Sequence, residues 1–162
     1  MTSPAPVGAQ LVMPLTRLSP PSEEPSAPQL IPRLLHLDRP ADGGLGSWVA
    51  RVRGAAEACL VVDVDGRVAA ISATCGRMLD VDPVPTVGVL LLDLVELVDF
   101  TVAGLPLADP EVQAPPLRAL AGGGLTRGLV RLRRATGALS TYDVVGVPLA
   151  GSSGALAFFS EV

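Results

Sequence analysis

The chain has 162 residues, 49% of them hydrophobic, and a formal net charge of −4. That is enough for one globular domain with a tail, and it lacks the basic field that a nucleic-acid backbone requires. The twelve basic residues are all arginine and the one histidine is His36, so phosphate-binding lysines, Schiff-base chemistry, histidine triads and multi-histidine metal sites each lose a required part.

Residues 1–44 hold nine prolines scattered among Ser, Ala and Glu. With no helical or strand period, the segment is expected to be a disordered Pro-rich tail. Pro4-Ala5-Pro6 and Pro20-Pro21 favour a polyproline II spacer, and Leu30-Ile31 with Leu34-Leu35 form a small apolar island. The N-terminus has no charged flank leading into an apolar core, so it does not read as a secretory signal. The strongest apolar run, Val87 to Leu92, meets Asp93 and Glu96 at once, far short of a bilayer span. The expected location is cytoplasmic, with no membrane partner and no nucleic-acid partner.

The globular domain is expected over residues 45–162. A helix fits Ser47 to Ala58, capped by Ser47, with Trp48, Val49, Val52, Ala55, Ala56 and Cys59 forming an apolar stripe. A hairpin follows: strand Ala58–Val64, a tight turn at Asp65-Gly66 with φ > 0 at both central residues, and strand Arg67–Ile71. Ser72 then stands where a helix N-cap belongs. Short helical pieces are expected at Ala73–Leu79, Leu91–Val98 and Pro116–Ala121, separated by Asp82-Pro83, Pro85, Gly88, Leu105-Pro106 and Asp109-Pro110. Gly122-Gly123-Gly124 stops the last of them. Three strands close the chain: Leu125–Arg134, Leu139–Leu149 and Ala155–Val162, turning at Thr136-Gly137 and Gly151–Gly154.

This order of two strands, a helical middle and three strands resembles that of PAS sensor domains. The resemblance covers residues 47–162. It rests on Ser72-Ala73-Thr74-Cys75-Gly76-Arg77-Met78-Leu79-Asp80 in the place of the Ala-rich helix after the first hairpin, and on Val87-Gly88 before the next helix. Leu92-Asp93-Leu94-Val95, the turn glycines Gly137 and Gly154, and Val147-Pro148-Leu149 continue it. It implies an α+β fold: a five-stranded antiparallel sheet with short helices on one face and an amphipathic N-terminal helix. It also implies a signalling or regulatory role through protein–protein contact. Helices of this kind often mediate dimerisation in the family, so Trp48, Val49, Val52 and Ala56 are the expected homodimer interface; packing of Trp48 on the domain's own sheet is the other reading. Phe158-Phe159-Ser160-Glu161-Val162 resembles the strand end that couples such sheets to an output domain. With the chain ending at Val162, signalling in trans is expected, to an unidentified kinase, phosphatase or transcription regulator.

Some PAS domains bind a ligand between sheet and helices. Leu60, Val62, Met78, Leu79, Leu91, Val130, Leu132, Tyr142 and Val144 would line such a pocket; a filled core of small aliphatics is the alternative that close packing favours. The photoreceptor subclass needs a cysteine where this sequence has Gly88-Val89-Leu90-Leu91, and no cofactor is expected. Cys59 and Cys75 lack metal or redox spacing and read as small buried residues. Cys75 is the one conceivable nucleophile, with no histidine to activate it, so the chain is not expected to be an enzyme. Arg127, Arg131 and Arg133 share one parity of a strand, suiting a solvated face or an anionic partner. Asp63, Asp93, Glu96 and Asp99 form no metal pattern, the last three marking a helix and its exit.

Overall fold

The computed structural model describes residues 44–134 and 136–162; the tail expected to be disordered lies outside the described residues except for Gly44. The elements are α1 (Leu45–Arg53), β1 (Cys59–Val62), β2 (Val68–Ile71), α2 (Ala73–Leu79), α3 (Pro83–Thr86), α4 (Leu91–Leu94), β3 (Glu96–Val98), α5 (Pro110–Gln113), α6 (Pro115–Gly122), β4 (Thr126–Arg133), β5 (Leu139–Pro148) and β6 (Ala155–Glu161). The strands form one sheet in the order β2-β1-β6-β5-β4-β3, and every pairing is antiparallel. The first and last strands of the chain pair inside the sheet, Leu60 opposite Ala157 and Val61 opposite Leu156.

The sheet has six strands where five were expected. Leu91, Leu94, Val95 and Val98 repeat at helical spacing, but the helix stops at Leu94 because Val95 is extended (φ −132°, ψ 127°). Glu96, Leu97 and Val98 then pair with Arg133, Leu132 and Arg131, and the Arg133 Nε–Glu96 Oε2 ion pair at 2.8 Å fastens the new edge. Short apolar runs satisfy both periods, and tertiary pairing decides between them.

The first hairpin also turns differently from expectation. Gly66 has φ +74°, while Asp65 does not take positive φ. Gly66 N–H donates to the Asp63 carbonyl (3.1 Å) and Asp63 N–H to the Arg67 carbonyl (2.8 Å). The Asp63 carboxylate accepts from the N–H groups of Asp65 (3.0 Å) and Arg67 (2.9 Å). Its local hydrogen bonding replaces the mirror-image two-residue turn.

One face of the sheet carries the main core. Leu60, Val62, Val68 and Ile71 join Val130, Leu132, Tyr142, Val144, Ala155 and Ala157, covered by Cys75, Leu79, Leu91, Ala114 and Ala119. The alternate residues Cys59, Val61, Ala70, Val145, Leu156 and Phe158 are buried on the opposite face. α6 lies across β4, β5 and β6, and glycine lets it come close. A Cβ at Gly146 would stand 2.5 Å from the Pro115 carbonyl oxygen, and one at Gly128 3.7 Å from Pro115 Cγ. Thr126 Oγ1 donates to that same Pro115 carbonyl at 2.6 Å. The start of α6 is therefore seated directly on the sheet.

Candidate functional site

The space between sheet and helices is the first place to look for a ligand. Leu60, Val62, Leu79, Leu91, Val130, Leu132, Tyr142 and Val144 fall into one buried cluster, with Met78 packed against it. The space described beneath α6, bounded in part by Leu91, Leu97, Pro115, Val130, Val144 and Phe159, amounts to about 20 Å³. Such a space holds a single water molecule at most. The physical cause is the direct seating of Pro115 over Gly146, which removes the gap that side chains would otherwise prop open.

Tyr142 is the polar point of this interior. Its ring is fully buried, edge-on to Phe159 with ring centroids 6.4 Å apart. Its hydroxyl donates to the Met78 carbonyl at 2.9 Å and accepts from Arg134 Nη2 at 2.8 Å. The same Nη2 reaches Glu161 Oε1 at 3.0 Å. Arg134 Nε is buried without a hydrogen-bond partner. Tyr142 and Arg134 border a cavity of about 270 Å³ at the end of the sheet, whose walls also include Leu79, Asp80, Asp93, Leu94, Glu96, Leu132 and Arg133. Asp80 enters it from a left-handed backbone (φ 61°) at the end of α2. The charges are mixed, and Arg133 already holds Glu96, so the lining does not define one ligand charge. The sequence placed Arg134 only beside a turn. The buried tyrosine that recruits it lies eight residues away across the β4–β5 hairpin, a link that periodicity does not carry.

The thiols are structural. Cys59 and Cys75 are free, and both are buried. Burial pushes the Cys59 thiol up to about 11, against a weaker opposing effect of its hydrogen bond with Ser72. Burial also raises the Cys75 thiol, which lies near the other sulfur. A protonated, enclosed sulfur is a poor nucleophile. Ser72 ties the region together: its Oγ donates to the Glu57 carbonyl (2.7 Å) and accepts from the N–H groups of Cys59 (3.2 Å) and Cys75 (3.1 Å). It caps α2 as the sequence indicates and also anchors the entry to β1. Among the described residues, no group of His, Cys, Asp and Glu is arranged to hold a metal.

The expected interface residues are split by the structure. α1 begins at Leu45 with Gly44 as its cap, rather than at Ser47, and ends at Gly54, whose N–H returns to the Arg51 and Val52 carbonyls. The expected helix to Ala58 is therefore too long by more than a turn, and Ala56 lies beyond it, exposed. Glycine's weak helix propensity and the extended lead into β1 explain the earlier stop. α1 lies against β1 and β2, and Val52 is fully buried. Trp48 and Val49 are half-buried, so each retains surface that a partner could cover.

The strand arginines are partly exposed and also find partners within the chain. Arg127 meets Asp143, itself buried, at 2.5 Å. Arg131 Nη1 donates to the Thr101 carbonyl at 2.7 Å, and Arg133 Nη2 to the Gly104 carbonyl at 2.5 Å. They hold the 99–106 loop against the sheet edge. Within that loop, the hydroxyl of Thr101 holds the Asp99 carboxyl below its ordinary range, helped by the N–H groups of Leu105 and Thr101. Their shared parity is legible in the sequence but these partners are not, because the loop that supplies the carbonyls has no period of its own.

No family model matches the sequence, and no curated protein matches it. Solved structures do. The PAS domain of a Colwellia psychrerythraea protein aligns with a TM-score of 0.52 at 17% identity, covering 73% of this chain and 96% of that one. The Rhodobacter sphaeroides LOV protein aligns with a TM-score of 0.55 at 15% identity, covering 70% of this chain and 64% of that one. The VqmA dimer of Vibrio cholerae, a LuxR-type receptor, aligns with a TM-score of 0.52 at 11% identity, covering 72% of this chain and 50% of that one. The described domain has the PAS fold, an α+β arrangement of a curled antiparallel sheet, short helices and an N-terminal helix.

Proposed function

We propose that this protein is a sensory or regulatory module that works through protein contact in trans, as a cytoplasmic homodimer, without catalysis of its own. The observation that carries the reading is the close packing of the described core: the space beneath α6 amounts to about 20 Å³, which favours recognition at the surface. The half-buried Trp48 and Val49 of α1 supply the homodimer contact, while the buried Val52 fixes the helix to its own sheet. The regulatory partner is a kinase, a phosphatase or a transcription regulator. Among the described residues no helix is long and apolar enough to cross a membrane. The domain spans residues 45–162, after the Pro-rich residues 1–44.

Native mass spectrometry of the full chain, paired with light scattering of Trp48→Glu, tests the proposal. A ligand-free mass at twice the chain mass that falls to one chain in Trp48→Glu supports it. A monomeric parent, or a Trp48→Glu variant that remains dimeric, sinks the dimer assignment. A discrete excess mass released on denaturation, once buffer adducts are excluded, would favour a small-molecule sensor; the cavity of about 270 Å³ beside Arg134 and Tyr142 is a candidate space for one.

A further inference from the structure

On the helical side of the fold, the turn of the first hairpin, the start of α4 and one face of α6 frame an open apolar groove of about 420 Å³. Its floor is Leu91, buried, and its walls include Val64, Leu92, Leu117 and Leu120, which all keep exposed surface. Val64 alone is 58% exposed. The frame is tied by backbone bonds: Leu91 N–H donates to the Gly66 carbonyl at 3.0 Å, and Arg67 bridges to Leu90. Leu117 packs on the turn, close enough that a Cβ on Gly66 would stand 3.3 Å from its Cδ2.

The rim has a single sign. Asp65, Asp93 and Glu111 border the groove, and no basic residue is in its lining. None of these carboxylates is in an ion pair among the described residues. The nearby Arg67 donates to the Gly88 carbonyl at 3.0 Å, away from the rim. An apolar trough bordered by unmatched negative charge selects leucine-like anchors flanked by cations.

We propose that this groove docks a basic amphipathic helix of a partner protein, with apolar anchors at i, i+3 or i+4 and i+7 seated over Leu91 and arginines or lysines facing Asp65, Asp93 and Glu111. The inference rests on the reading of the protein as a contact module, and it names the chemistry of the partner. It uses a surface separate from α1, so loss of docking and loss of dimerisation are distinguishable.

The test uses the full chain and a labelled synthetic helix with a leucine stripe flanked by arginines, followed by fluorescence anisotropy. A twin peptide carries glutamate in place of each arginine. Expected is saturable binding of the cationic peptide alone, weakening as salt is raised. The exposed-site variant Asp65→Arg/Glu111→Arg should weaken it at least about tenfold, and Leu120→Glu by a similar factor. Both variants are first shown by circular dichroism to keep the parent melting curve; should Leu120→Glu unfold, the double charge reversal decides alone. Equal binding of both peptides, indifference to Asp65→Arg/Glu111→Arg, or no binding because a second copy or the chain's own N-terminal sequence fills the groove would each overturn the proposal.

Discussion

Replacing Gly146 by alanine tests the physical reason the interior is filled. The new methyl group would stand 2.5 Å from the Pro115 carbonyl oxygen, 2.7 Å from its carbonyl carbon and 2.7 Å from Thr126 Oγ1. Two of these three atoms are backbone, so no rotamer change relieves the clash, and the start of α6 must lift off β5. Overpacking of this kind costs about 1–3 kcal/mol. The lift also stretches the 2.6 Å Thr126–Pro115 hydrogen bond, adding about 1 kcal/mol. The sum, about 2–4 kcal/mol, lowers the melting temperature by roughly 10 °C for a domain of this size. Thermal denaturation followed by circular dichroism reads it directly. Gly122→Ala is the control: it lies at the end of the same helix with nothing within 4 Å of its added Cβ, so it should be neutral or stabilising by up to about 1 kcal/mol. A Gly146→Ala protein that melts within a degree or two of the parent would refute the close seating of α6.

Three further outcomes follow from the buried polar groups. Ser72→Ala removes an acceptor from the N–H groups of Cys59 and Cys75 and a donor to the Glu57 carbonyl; a stability loss of about 1–3 kcal/mol is expected in urea unfolding. Tyr142→Phe strands the Met78 carbonyl and loosens Arg134, with an expected loss of about 1–2 kcal/mol by the same measurement. The thiols set an alkaline limit. The unfolded chain releases the Cys59 proton near 9.0 while the folded chain keeps it to about 11, so the unfolded state binds fewer protons in that window and stability falls as pH rises through it. Cys75, raised by its own burial, steepens the fall. Melting temperatures that stay flat from pH 9 to 11 in the parent, or that fall equally in a folded Cys59→Ala variant, would contradict this account.

The parts of the fold legible in the sequence are those with a local cause. Ser72 before Ala73, Pro115-Pro116 before an apolar face, and Gly137 between alternating runs each specify their element by capping, fixed φ or positive φ. Of the nine residues assigned to the interior, Leu60, Val62, Val130, Leu132, Tyr142 and Val144 share one sheet face by strand parity, while Met78, Leu79 and Leu91 reach it from α2 and α4. What the sequence conceals is decided by distant partners. β3 exists because Glu96, Leu97 and Val98 find Arg133, Leu132 and Arg131, and nothing within residues 91–98 announces that edge. Arg131 and Arg133 become loop fasteners only because Thr101 and Gly104 offer carbonyls to them. Asp65, Asp93 and Glu111 are far apart in sequence, and only the packing of α4 and α6 on the hairpin gathers them at one rim.

The filled interior shows why composition alone left the ligand question open. Small inner-face residues, Gly128, Gly146, Ala155 and Ala157, lower the surface of the sheet. That recess can remain as space for a ligand, or a helix can descend into it. Both outcomes begin from the same residues, so aliphatic content and aromatic scarcity do not separate them. Here Pro115 descends: it lacks an N–H to satisfy, its carbonyl is taken by Thr126, and the glycines below offer no side chain to hold it off. The choice between pocket and solid core is therefore made at one backbone contact between α6 and β5. Among the described residues, open surface then lies where the helices meet the hairpin, at the end of the sheet beside Arg134, and along the exposed side of α1.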